Sequence, residues 1–155
     1  IYTLSLHDAL PISGEAIGKL KVFQQPLNAI TITKDDVPGL VDELPILAIL
    51  ATQAKGKTEV RGAEELRVKE CDRIHAVCKN LKNMGADIEE LDDGFIIKGP
   101  TPLKGARIET FHDHRIAMAF TIAGLVSDGD VVLDHPECAS ISYPEFYDEL
   151  ERLKQ

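Results

Sequence analysis

Two blocks of fifteen residues, 42–56 and 115–129, carry one pattern, and it constrains the fold more than any other feature of the chain. Each opens on a charged residue (Asp42, Arg115), runs through an almost unbroken apolar stretch and closes on glycine (Gly56, Gly129). In DELPILAILATQAKG the apolar positions are nearly continuous from Leu44 to Ala51, and RIAMAFTIAGLVSDG is as apolar along its length. Helices apolar around most of their circumference belong inside, covered by sheets. Strand-like segments flank both blocks: ITITK from Ile30 and TEVRG (58–62) around the first, ARIETF (106–111) and VVLD (131–134) around the second. An amphipathic helix is expected from about residue 70 to Met84, closed by Gly85, and another over YPEFYDELERL (143–153). ADIEEL and FIIKG, joined through Asp92, Asp93 and Gly94, read as a β-hairpin. The expected fold is α/β, an inside-out layer built on a weak repeat of β-α-β-α with a hairpin attached, its second copy stopping short.

Composition narrows the partners. With 17 basic against 26 acidic residues the chain carries a net charge of −9, so its overall field repels nucleic acid and anionic membrane. No apolar run reaches the ~20 residues of a membrane span. The three cysteines, Cys71, Cys78 and Cys138, are odd in number and lack CxxC spacing. They read as reduced thiols of a cytoplasmic protein, with Cys71 and Cys78 facing the core. The opening IYTLSLHDALPI resembles the conceptual translation of a common DNA-sequencing adapter. Residues 1–13 are therefore expected to be a non-native, disordered segment, and residues 14–155 to form the fold.

Candidate chemistry gathers at the helix starts. In RVKECDRI (67–74), Cys71, Ile74, Cys78 and Leu81 recur at helical spacing, with Glu70 and Arg73 on a neighbouring row and Lys69 just before the helix. Fixed cations at a helix start suit a phosphate or carboxylate, and a carboxylate beside them can move a proton. The plainer reading is a solvated first turn whose Glu70–Arg73 pair contributes roughly 0.2–0.5 kcal/mol. HDHRIAM (112–118) opens the second apolar helix. There Asp113 is expected as N-cap, and Arg115, set against the helix dipole, requires an anion from Asp113, Glu109 or a ligand. His112 and His114 have the i,i+2 spacing of some metal ligands, but no third ligand accompanies them, so no metal is expected. Asp42 opens the first apolar helix, with an N-cap as its plain role. If the three helix starts converge, they bring together three cations, two carboxylates and a histidine, an inventory suited to a substrate bearing phosphate and carboxylate groups.

RVKECDRI followed about forty residues later by DHRIAMAF resembles the carboxyl-terminal domain of the 5-enolpyruvylshikimate-3-phosphate synthase family, the 3-phosphoshikimate 1-carboxyvinyltransferases. The resemblance runs from roughly Gly14 to Leu153 and includes VDELPILAILA and SYPEFYDEL. It implies an inside-out α/β prism of repeated βαβαββ units, incomplete here. It also implies transfer of the enolpyruvyl group of phosphoenolpyruvate to the 5-hydroxyl of 3-phosphoshikimate with release of phosphate, a shikimate-pathway step of aromatic amino acid biosynthesis. No cofactor is implied. Carried over by position, Asp42 matches a 3-phosphoshikimate contact and proton acceptor, and Lys69 a 3-phosphoshikimate-binding lysine. Glu70 matches the acid that shuttles a proton at the methylene carbon. Arg73 and Arg115 match the arginines that hold phosphoenolpyruvate, with His114 their neighbour in the cleft. Glu65 stands where some members carry asparagine, and Ile141 where some carry a lysine. The family's amino-terminal domain is expected as the missing partner, the full-length enzyme as a monomer, and the chain alone as inactive. Two other readings are the sister enolpyruvyl transferase acting on UDP-N-acetylglucosamine and a non-catalytic anion-binding remnant.

Overall fold

In the computed structural model the backbone is described for residues 5–12 and 15–21, and residues 23 and 25–153 are described with their side chains. In chain order the elements are β1 (Ser5–Ile12), β2 (Glu15–Lys21), β3 (Thr31–Ile32), α1 (Leu44–Gln53), β4 (Gly56–Val60), α2 (Arg73–Asn83), β5 (Asp87–Leu91), β6 (Gly94–Gly99), β7 (Leu103–Lys104), β8 (Arg107–Ile108), α3 (His114–Gly124), β9 (Ser127–Asp128), β10 (Val132–Leu133) and α4 (Phe146–Leu153). β1 and β2 pair antiparallel. This ladder overlaps the segment that the sequence reading leaves outside the fold; residues 1–4 and 13 of that segment lie outside the described residues.

The repeat is visible in the pairing. β3-α1-β4 and β8-α3-β10 are both units of parallel strands joined through an apolar helix. The first unit continues through α2 into the β5–β6 hairpin, giving a four-stranded sheet ordered β3-β4-β6-β5. β7 and β9 form a further parallel pair, and the second unit runs on into α4. α1 packs on α3 and on β6, and α2 on β5. The apolar helices therefore lie inside. Leu44, Ile49, Ile74, Phe95, Ile97 and Phe120 are each 2% exposed or less, and burial of such a side chain is worth about 1.5–3 kcal/mol. Asn80, also fully buried, behaves as a strand neighbour: its amide donates to the Glu109 carbonyl at 2.8 Å and accepts from the Glu109 N–H at 3.1 Å. That bracket fixes α2 against the segment leading to α3.

Several boundaries differ from the sequence reading, each for a local reason. α1 stops at Gln53 because Ala54 turns extended, and Gly56, at φ +113°, opens β4 instead of closing the helix. α3 stops at Gly124, since Ser127 and Asp128 are drawn into pairing with β7. α2 begins at Arg73, preceded by a 3-10 helix, Glu64–Val68. Its cap is Asp72, whose carboxylate accepts the His75 N–H at 2.9 Å. At the hairpin, Gly94 is needed for close approach: a Cβ there would stand 2.0 Å from the Val60 carbonyl oxygen.

Candidate active site

Three segment starts converge on one guanidinium. Arg73, the first residue of α2, is 1% exposed and surrounded by carboxylates. Its Nε donates to Asp113 Oδ2 at 2.8 Å and its Nη2 to Asp113 Oδ1 at 3.4 Å. The same Nη2 donates to Glu70 Oε2 at 2.7 Å, and Nη1 to Asp42 Oδ1 at 3.0 Å. Burial works against the charge of Arg73, but the hydrogen bonds and charges of Asp113, Glu70 and Asp42 outweigh it and raise its pKa.

Asp113 is the fixed member of this set. It is fully buried at the N-cap of α3, where one oxygen accepts the N–H groups of Arg115 (2.8 Å) and Ile116 (3.3 Å). Burial pushes its carboxyl up; the Arg73 guanidinium and the two helix N–H groups reverse that and leave its pKa lowered. Two consecutive residues at positive φ, Phe111 (53°) and His112 (56°), lead into it. Such conformations are costly for non-glycine residues and collect where the surrounding structure fixes them. Cys71 approaches the same carboxylate, Sγ to Oδ2 at 3.5 Å, and burial first, with Asp113 adding to it, pushes its thiol up to about 12. Cys78 lies in the core as expected, and Cys71, half-buried, packs against it.

Around this hub sit the remaining candidates. Arg115 donates from Nη1 to the Asp42 carbonyl at 3.1 Å and to Glu43 Oε1 at 3.0 Å, with Asp42 Oδ2 3.7 Å from Nη2. Its anion is thus neither Asp113 nor Glu109, the two residues expected; Asp113 is committed to Arg73, and Glu109 pairs with Lys79. Asp42 is not an N-cap either. Glu43 occupies the cap position of α1 without a side-chain cap bond, which leaves the Asp42 carboxylate for Arg73. Lys69, just before α2, holds Glu65 Oε1 at 2.8 Å, a contact that raises its pKa. His114 is the half-buried first residue of α3, while His112 turns away to stack on His135 at 4.2 Å between ring centroids. Ile141 ends a 3-10 helix, Pro136–Ile141, and is exposed. Arg67 and Asp72, 2.6 Å apart, serve the structure: Arg67 also binds the Leu91 and Asp92 carbonyls of the hairpin.

The structure therefore brings together Asp42, Glu70, Arg73, Asp113 and Arg115, with Lys69 close enough for Asp42 and Arg73 to act on its charge. Sequence reasoning missed two members, Asp113 as the partner of Arg73 and Glu43 as the partner of Arg115. The inventory is also more acidic than the expected one. Three cations (Lys69, Arg73, Arg115) face five carboxylates (Asp42, Glu43, Glu65, Glu70, Asp113), a formal excess of two negative charges.

Comparison with known proteins identifies the family. The sequence model of the family described as EPSP synthase (3-phosphoshikimate 1-carboxyvinyltransferase) matches residues 11–150. A 3-phosphoshikimate 1-carboxyvinyltransferase from Persephonella marina is 52% identical over 140 residues, covering 90% of this chain and 32% of that protein. The structure of EPSP synthase from Acinetobacter baumannii superimposes with a TM-score of 0.92 at 38% identity, covering 97% of this chain and 36% of the other. The enolpyruvyl transferase NikO from Streptomyces tendae shares the fold, with a TM-score of 0.67 at 22% identity over 89% of this chain and 31% of its own. The chain spans about a third of the length of these relatives. The fold is the enolpyruvyl transferase α/β architecture, present in part, and the chain belongs to the EPSP synthase family.

Proposed function

We propose that this chain carries one side of an enolpyruvyl transfer site, the part of a 3-phosphoshikimate 1-carboxyvinyltransferase that holds its carboxylate proton carriers. The parent reaction joins the 5-hydroxyl of 3-phosphoshikimate to the central carbon of phosphoenolpyruvate. A proton arrives at the methylene carbon as the tetrahedral ketal forms. Phosphate then leaves and that carbon gives a proton up. Asp42 takes the proton of the attacking hydroxyl, and Glu70 delivers and recovers the proton at carbon, with His114 beside them. Lys69 binds 3-phosphoshikimate; Arg73 and Arg115 bind phosphoenolpyruvate.

The observation that carries this reading is the placement of both proton carriers on one guanidinium, Asp42 at 3.0 Å and Glu70 at 2.7 Å from Arg73. Two carboxylates on different segments are thereby held on one cation, which the buried Asp113 also binds. Arg73 has four donor contacts filled from within the chain, so its first contribution is to orient the two carboxylates. Charge supports a second half. A site with a formal excess of two negative charges holds a phosphate only weakly by itself, so tight binding needs further cations from the remainder of the longer protein. No described helix is long and apolar enough to cross a membrane. The three free cysteines fit a reducing compartment, and we place the enzyme in the cytoplasm.

Titration of the labelled chain, followed by NMR, tests the binding assignments. Phosphoenolpyruvate is expected to shift the resonances of Arg73, Arg115 and the first turn of α3 at millimolar concentration, and 3-phosphoshikimate those of Lys69 and Asp42. If neither compound moves any of these signals, the reading fails.

A further inference from the structure

The carboxylates that neutralise the cations of this site are of two kinds. Asp113 is fully buried, with both oxygens bound to Arg73, so it stays in place whatever enters the cleft. Glu65 and Glu43 are the opposite: their side chains are 62% and 51% exposed, and each reaches its cation through a single oxygen. Glu65 Oε1 lies 2.8 Å from Lys69 Nζ, and Glu43 Oε1 lies 3.0 Å from Arg115 Nη1. Exposed pairs of this kind hold weakly, and a released glutamate is rehydrated at little cost. Arg115 keeps its position when Glu43 leaves, because the same Nη1 also donates to the Asp42 carbonyl at 3.1 Å.

We infer that Glu43 and Glu65 are placeholder carboxylates, which neutralise Arg115 and Lys69 while the cleft is empty and give way to the anionic groups of the substrates, so that they set substrate affinity. The inference rests on the reading of Lys69 and Arg115 as substrate cations. Charge makes the displacement necessary. With both glutamates in place, an incoming phosphate meets three cations and five carboxylates; with both swung out, it meets three cations and three carboxylates, of which Asp113 is turned inward onto Arg73. The two residues also differ from the rest of the site in role, since neither touches Arg73 and neither is needed to place Asp42 or Glu70.

The test is the affinity of the 155-residue chain and its variants for phosphoenolpyruvate and 3-phosphoshikimate, measured by NMR titration. Glu43→Gln is expected to tighten phosphoenolpyruvate and Glu65→Gln to tighten 3-phosphoshikimate, each by about two- to fivefold. Glu59→Gln makes the same change in net charge at a glutamate held between Lys57 and Arg61, on the β4 strand. It is expected to leave both affinities unchanged, which separates displacement from the overall field. Binding that is equal to, or weaker than, that of Glu59→Gln in both test variants would overturn the inference and leave the functional reading standing. Absence of binding by the unmodified chain and every variant would remove both.

Discussion

Urea unfolding of Asp113→Ala is expected to show a loss of about 3–5 kcal/mol in stability, the cost of leaving a buried charge without its partner. The stranded group is Arg73, 1% exposed and tied to Asp113 through two of its nitrogens. The substitution also removes the cap that accepts the Arg115 and Ile116 N–H groups, worth about 1 kcal/mol when taken alone. Asp113→Asn separates the two contributions, since asparagine caps a helix as well as aspartate but carries no charge for Arg73. It is expected to keep the cap and lose most of the remainder. Acid should reveal the same group. Asp113 has a folded-state pKa below its ordinary 3.8, so its stabilisation is fully present above the unfolded-state value and disappears as pH falls through the folded one. Asp113→Asn should flatten that part of the acid limb. A loss below about 1 kcal/mol in Asp113→Ala, within the range of ordinary surface changes, would contradict the buried-pair account.

The second large effect concerns chemistry, and it is measured in a chimera. In this protein the matched 140 residues of the Persephonella marina enzyme are replaced by those of the present chain, so that the other two thirds are supplied. Glu70→Gln in the chimera is expected to lower kcat by about 10²–10⁴-fold, the usual worth of a positioned proton carrier. Glutamine keeps an oxygen for Arg73 Nη2, so the hub and the stability of the fold change little. The side chain of Glu70 is 48% exposed, which leaves room for that replacement without strain. A tenfold or smaller loss would assign the proton at carbon to another group.

Which parts of this arrangement are legible in the sequence follows from the range of the interactions involved. Helices apolar around their whole circumference announce themselves locally, so α1 and α3 and their place inside the fold follow from composition alone. Their ends do not. Gly56 and Gly129 lie beyond the helices at positive φ, and the helices stop where distant strands claim the following residues for β4 and β9. The Glu70–Arg73 pair is a matter of i,i+3 spacing and is readable in advance. The Asp113–Arg73 pair spans 40 positions and joins the starts of two helices, and no periodicity encodes such a contact. Asp42 is readable as a site residue, but its partner is decided by Glu43 taking the cap position, a choice made by the packing of α1. The motif thus marks the residues of the candidate site, while the fold decides which cation each carboxylate serves.

The central claim, that this chain holds the carboxylate side of an enolpyruvyl transfer site and needs a second side to work, is tested most directly by phosphate release. The folded chimera is expected to release phosphate only when phosphoenolpyruvate and 3-phosphoshikimate are both present, and the 155-residue chain alone to release none under the same conditions. A folded chimera without turnover, or turnover by the isolated chain, would contradict it.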